Sequence, residues 1–372
     1  MTRSKGYMQP PNMTKRIVLL FALSAFVWRL GAQTAAVTDS AAVQLGRAID
    51  KDDDGQRQNR LSHILDQNSF ISRMEENCPP LKDPAFRRGF METFPPNLPK
   101  IGVSIANAAN GGSYRLLREY DSNGVKHLLF RVYGKQGLNY HDYSLIRVRD
   151  SVKVADIYLY TSGEYFSHTV ANLVTTADAP HDLDKESDEL KALTRIRDNY
   201  RQHNYPEAKA IYDGLSLKLK DDKAIQIVYI SIARNISDSL YEVALDHFQA
   251  VFPDAPNSYL LMIDLCYLRK NYQKGMETVD KLDGLVGDPI LNLLRGNFVK
   301  LSGKREESLG YYQKAYQFDP GFKMNTRTLI STYAEIGRMD DAKKVIAEFK
   351  RQKGFLPEDL DVIYAAFPAL RD

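Results

Sequence analysis

Two cysteines in 372 residues leave no material for a disulfide framework or a four-thiolate metal site. Charge of one sign is also scarce. Fifty Lys and Arg stand against 47 Asp and Glu, a formal net charge of +3, so no strong field steers the chain toward nucleic acid or an acidic surface. No dense basic stretch with interleaved aromatics occurs, and no nucleic-acid partner is expected. No apolar run reaches the roughly 20 residues of a membrane-spanning helix. The Gly-x-Ser-x-Gly elbow, the phosphate loop and the His-Glu-x-x-His pair are missing. What is present is ordinary soluble composition, 44% apolar and 26% charged. The length suits two domains, and the composition excludes a collagen, a wholly disordered chain and a polytopic membrane protein.

The N-terminus carries its own signal. Lys15-Arg16 precede an apolar run from Ile17 to Trp28, and small residues follow at Gly31-Ala32. A basic front, a short apolar core and small residues at its end read as a secretory signal over 1–33, with Met13 as the better start and cleavage near Gln33. The alternative is an uncleaved anchor, against which Arg29 stands directly after the run. The chain is therefore expected to be exported, to a bacterial periplasm or to the outside, with no stable membrane anchor after cleavage. A flexible segment is expected over 34–59, with Asp50 to Asp54 as a solvated acidic run rather than a calcium loop.

The segment 60–176 reads as an α+β domain. Leu61, Ile64, Leu65 and Ile71 fall at helical spacing, which predicts a helix over 60–77. Asp83-Pro84 opens a second helix toward Thr93, and 101–110 is ambiguous between helix and strand. Then come four runs of strand character: 114–120, 125–133, 140–149 and 152–160. Asn123-Gly124 between the first two is a hairpin signal. Alternation along the last run places Val152, Val154, Asp156, Tyr158 and Tyr160 on one face. An exit helix follows Gly163, with Glu164 in its first turn. The element order resembles the cystatin-like or nuclear-transport-factor-like cones of helices packed on an antiparallel sheet.

Candidate chemistry in this domain is a pocket at His141, Asp156 and Tyr158, with Asp142 next in sequence to His141. Adjacent strand residues face opposite ways, so His141 and Asp142 do not share a face. His127 reads as a packed or edge histidine. Glu164 and His168 are a helical pair short of a third metal ligand. Catalytic, cofactor and metal residues are therefore assigned to none, and the chain is read as a non-enzyme.

Beyond a polar linker at 177–188 the pattern is helical and repeats. Five segments align: 204–208, 240–244, 271–275, 304–308 and 338–342. Each ends in a small residue, Ala208, Ala244, Gly275, Ser308 and Ala342, with steps of 36, 31, 33 and 34. A large apolar or aromatic residue follows four positions later at Tyr212, Phe248, Val279, Tyr312 and Ile346. Gly303 and Gly337 mark the turns. This period of about 34 residues is one helical hairpin per repeat. The residues resemble the tetratricopeptide repeat (TPR) family, although no repeat has the family's favoured first-helix Trp. The fold class is thus an α+β N-terminal domain followed by an all-α TPR-like solenoid: about five repeats over 189–356 and a capping helix over 357–372.

The resemblance implies a concave face, lined by the first helix of each repeat, that holds a protein or peptide partner. Arg197, Arg201, Arg234, Arg269, Arg295 and Lys300 lie on those helices and make a candidate basic groove for a carboxylate or acidic peptide. Cys78 and Cys266 fit poorly as a pair, and Cys266 reads as a buried small hydrophobe. The main reading is an exported interaction scaffold. The other is a small-molecule or enzymatic α+β domain with the repeats as accessory.

Overall fold

The computed structural model describes residues 36–134, 137–176, 188–252, 258–352 and 354–371. The signal expected over 1–33 and the 177–187 part of the linker lie outside the described residues.

Two helices occupy the segment expected to be flexible, α1 (Asp39–Lys51) and α2 (Asp54–Ser62). The acidic run is what builds them. Asp53 caps α2 in a capping box with Gln56. Asp54 pairs with Arg57 and Asp52 with Arg60, while Asp50 accepts from the Leu116 N–H. Asp53 is exposed and the Asp54 side chain half-exposed, as a solvated run requires, whereas Asp52 is buried against Arg60 and Asp50 turns toward the sheet.

The helix expected over 60–77 is broken. After α2 the chain crosses an edge of the sheet, where Asp66 N–H donates to Val154 O and Val154 N–H to Ile64 O. Asp66 then caps α3 (Gln67–Asn77) by accepting from Ser69. The ambiguous 101–110 segment is helical: α4 (Pro84–Thr93) is followed by α5 (Leu98–Asn107). Gly102 lets α5 lie against α2, since a methyl group there would stand 1.9 Å from the Leu61 carbonyl oxygen.

The sheet is an antiparallel meander in sequential order: β1 (Ser113–Ser122), β2 (Val125–Gly134), β3 (Gly137–Val148), β4 (Ser151–Leu159) and the two-residue β5 (Glu164–Tyr165). Asn123 and Gly124 both take positive φ, as the hairpin signal required. Glu164 belongs to β5, and the exit helix α6 (Phe166–Thr176) begins after it. The inner face carries Tyr114, Leu128, Phe130, Tyr143, Val154 and Ile157 against Ile49, Leu61, Ile64 and Ile105 of the helices. A bulge between Ser144 and Leu145 changes the alternation of β4. Val152 and Val154 therefore share the inner core with Ile157 and Leu159, while Tyr158 and Tyr160 join the opposite cluster. The single face expected for Val152 through Tyr160 fails at that bulge.

Helical hairpins follow: α7 (Asp188–Arg201) with α8 (Tyr205–Asp213), then, after the short α9 (Leu217–Lys220), α10 (Lys223–Arg234) with α11 (Asp238–Val251). The next three are α12 (Tyr259–Leu268) with α13 (Tyr272–Val286), α14 (Asn292–Leu301) with α15 (Arg305–Phe318), and α16 (Lys323–Glu335) with α17 (Met339–Phe349). Second helices start at 205, 238, 272, 305 and 339, steps of 33, 34, 33 and 34. This regular phase corrects the second repeat. Its fourth position, where the other repeats have Ala208, Gly275, Ser308 and Ala342, holds Tyr241, and Ala244 lies one turn further on.

The turns explain the regularity. In four of the five hairpins the residue two before the second helix is left-handed: His203, Lys270, Gly303 and Gly337. The next N–H reaches back five residues, as in Asn271 to Cys266 O, Lys304 to Val299 O and Arg338 to Tyr333 O. Small residues then meet large ones across repeats. A methyl on Gly275 would stand 2.3 Å from the Phe298 ring, which stacks on Tyr267 at 4.1 Å. Tyr212 stacks on Tyr229 at 3.9 Å in the first junction. The C-terminal segment closes the open end, where Leu360 and Ile363, the latter on α18 (Asp361–Ala366), join Val345, Ile346 and Phe349 in one core.

The left-handed turns are testable. A side chain at positive φ costs about 1 kcal/mol, which glycine avoids. Lys270→Gly should raise stability by about 0.5–1 kcal/mol, and Gly337→Ala should lower it by about 1 kcal/mol. Urea unfolding midpoints of the two variants would check both signs.

Candidate functional site

The repeat array does not stand free of the first domain. The outer face of the sheet packs against its third and fourth hairpins, and Leu129, Tyr140 and Tyr160 share a core with Ile263, Val279, Leu282, Leu291 and Phe298. At the centre is Arg131, 1% exposed, which donates to Asp288 at 3.2 Å and also to Asp319. Tyr140 donates to the second oxygen of Asp288 at 3.0 Å. Asp288 also caps the one-turn helix that precedes α14, accepting from the Ile290 N–H. Tyr133 lies edge-on to Phe322, with centroids 4.9 Å apart. Asp288 and Asp319 occupy consecutive connections between repeats, so one arginine of β2 grips two neighbouring loops.

Magnitudes assign this cluster its role. Burial raises the Asp288 carboxyl above the usual range, and the Arg131 charge pulls it down less strongly. Desolvation therefore outweighs attraction, as is common for buried pairs. The cluster sets the position of the array more than it stabilises it. No sequence pattern singles out Arg131, because Arg in an alternating strand reads as solvent-facing.

The six basic residues assigned to the groove have these places. Arg197 is 3.1 Å from Asp198, its chain neighbour, and Arg201 is exposed. Arg234 is 3.9 Å from Asp264 of the next repeat and lies over the Tyr241 ring. Arg269 reaches back to Glu242 and Asp246 on α11. Arg295 reaches back to Asp280 and Asp283 on α13 at 2.7 and 2.8 Å. Lys300 reaches forward to Glu335 on α16 at 2.8 Å. Four of the six thus tie adjacent repeats together.

His141, Asp156 and Tyr158 are not brought together. His141 sits in the inner core, with Nδ1 2.8 Å from the Tyr114 hydroxyl and Nε2 3.2 Å from Asn139 Nδ2. Tyr114 bonds on to Tyr143. Burial pushes the His141 imidazole down to about 3, so it is neutral in the fold. Asp156 accepts from the backbone and hydroxyl of Ser167 in the first turn of α6, and burial raises its carboxyl. Tyr158 is edge-on to Tyr160 and Tyr165. The aspartate beside His141 instead serves His127, whose Nδ1 is 3.0 Å from Asp142, while Tyr120 donates to the other oxygen. This histidine–aspartate pair is formed across strands, from residues 15 apart in sequence. Cys78 and Cys266 are buried free thiols. Among the described residues no group of three or more His, Cys, Asp or Glu could hold a metal ion, and no helix is long and apolar enough to cross a membrane.

No protein-family model matches the chain, and no curated protein matches it. Among solved structures, a thermophilic TPR protein of Thermus thermophilus is similar at 17% identity, over 48% of this chain and 97% of that one, with a TM-score of 0.36.

Two outcomes follow from these geometries. Arg131→Met leaves two carboxylates without their cation and should destabilise the chain by about 3–5 kcal/mol. Adding Asp288→Asn should recover part of that loss, read as the denaturant midpoint. The folded His141 resists protonation until about pH 3, whereas an unfolded imidazole takes its proton near pH 6.5. Stability should therefore fall as pH drops from about 6.5 toward 3, by up to about 1.4 kcal/mol per unit from this residue. His141→Gln should flatten that slope.

Proposed function

We propose that the chain is an exported scaffold whose helical array holds a protein or peptide partner, with the sheet domain as its mount. The observation that carries this reading is the array itself: hairpins at steps of 33 or 34 residues, with left-handed turns in four of five. Stacked hairpins offer an extended surface to a partner. Because first-helix residues Ile263 and Phe298 share a core with the sheet, that partner is assigned to the first helices that carry exposed arginines, α7 and α10. Ties such as Arg295 to Asp280 and Lys300 to Glu335 hold that surface in one curvature.

The candidates for contact with an acidic partner are Arg197, Arg201 and Arg234. The side chains of Arg197 and Arg234 are 56% and 53% exposed, and Arg234 has a long 3.9 Å contact with Asp264 beside the Tyr241 ring. Arg269, Arg295 and Lys300 act on the partner through the shape they maintain. Export rests on the basic pair Lys15-Arg16 and the apolar run after it. The packed surroundings of His141 and the separate placement of Asp156 and Tyr158 favour the scaffold over a pocket enzyme.

Affinity capture from the exported fraction tests the reading. The recovered chain should begin near Gln33 and retain a partner specifically. Arg197→Glu with Arg201→Glu should weaken capture at least tenfold, consistent with losing two charge-assisted contacts of about 1–2 kcal/mol each. A chain that stays in the cytoplasm, or a folded chain that retains no partner, contradicts the proposal.

A further inference from the structure

The geometry points to a binding site for a small organic anion in the first domain, separate from the array and independent of its proposed role. A cleft of about 470 Å³ opens between α2 and the start of β4. Drug-sized ligand sites span about 300–1,000 Å³, so the cleft has room for a small molecule. Its apolar wall is Leu45, Ile64 and Val152. Its cationic side is Arg60 and Lys153, with the His63 imidazole beside them and Asp52 as the one carboxylate of the lining among the described residues.

These cations are held in place with donors to spare. Lys153 Nζ donates to the His63 carbonyl oxygen at 2.7 Å, which fixes the ammonium at the cleft and leaves two N–H groups. Asp52 holds Arg60 through Nε at 2.5 Å and Nη2 at 3.1 Å, so Nη1 keeps its donors. Two permanent cations against one carboxylate leave the lining net positive. The Asn59 and Gln56 amides add neutral donors nearby. Preoriented charged donors beside an apolar wall suit an anion with a short hydrocarbon part, a carboxylate or a phosphomonoester, whose head meets Lys153 and Arg60. The arrangement depends on the break at His63, which turns that residue's carbonyl toward β4. A continuous helix over 60–77 would have used it internally.

Hexanoate and inorganic phosphate, titrated separately into the full chain and followed by backbone-amide NMR, test the site. Saturable shifts at Asn59, Arg60, His63, Val152 and Lys153 are expected with a dissociation constant of about 1 mM or tighter for at least one probe. Lys153→Met should weaken it about tenfold, the loss of one hydrogen bond to a charged group, while Lys153→Arg keeps it within about threefold. Response to hexanoate alone assigns a carboxylate, to phosphate alone a phosphate ester, and to both the shared anion chemistry. If neither probe gives saturable shifts there, or if folded Lys153→Met and Lys153→Glu bind as the parent does, the assignment is wrong.

Discussion

A guanidinium almost fully removed from water dictates how this molecule is put together. Arg131 has carboxylate partners only because Asp288 and Asp319 arrive from two successive connections of the array. An unpaired charge at that depth would cost several kcal/mol, so the sheet and the array are mutually required at this point. Its Nε has no partner among the described residues, which adds to the cost of the arrangement. The surrounding apolar contacts, from Leu129 to Phe298, supply the attraction between the two parts. The charges select one seating among the many that an apolar face alone would allow.

Within the array, stability comes from complementarity between neighbours. A single hairpin exposes an apolar face that only the next hairpin covers. Gly275 and Phe298 show the size matching directly: the smallest side chain stands under one of the largest. The second repeat departs from the rule, with Tyr241 at the small position, and its hydroxyl donates to Asp264 of the following helix at 2.6 Å. A polar contact there does what close helix approach does elsewhere. The Arg234 and Arg269 pairs are largely exposed, and such pairs contribute about 0–1 kcal/mol each, whereas the Arg295 and Lys300 side chains are more than half buried. Their effect is on the curvature of the array more than on its stability.

The first domain shows how residues that look chemical become structural. Asp142, His127 and Tyr120 form a connected trio, yet the first two are almost fully buried and sit on the sheet face that carries the array. His141 is spent on Tyr114 and Asn139, and Asp156 on the start of α6. Each group satisfies a partner that burial would otherwise leave unpaired. The acidic run at Asp50–Asp54 follows the same logic at the surface, with each of Asp50, Asp52, Asp53 and Asp54 spent on a cap, a strand N–H or a nearby arginine.

Local pattern alone determined a good deal: four of the five strands, the Asn123-Gly124 hairpin, the helical hairpins and their period, and the closing segment after Pro357. Those features depend on side-chain alternation, turn conformation and spacing, all of which act over a few residues. Tertiary structure decided the rest. The break at His63 comes from the distant strand residue Val154, while the bulge beside Ser144, the cross-strand pairing of His127 with Asp142 and the phase of the second repeat are set by how neighbouring strands and hairpins register on one another. Arg131 is the extreme case. Its partners lie 157 and 188 residues away, and no local pattern records which distant carboxylates will meet a given arginine, because that is settled by how two separately encoded apolar faces come to rest on each other.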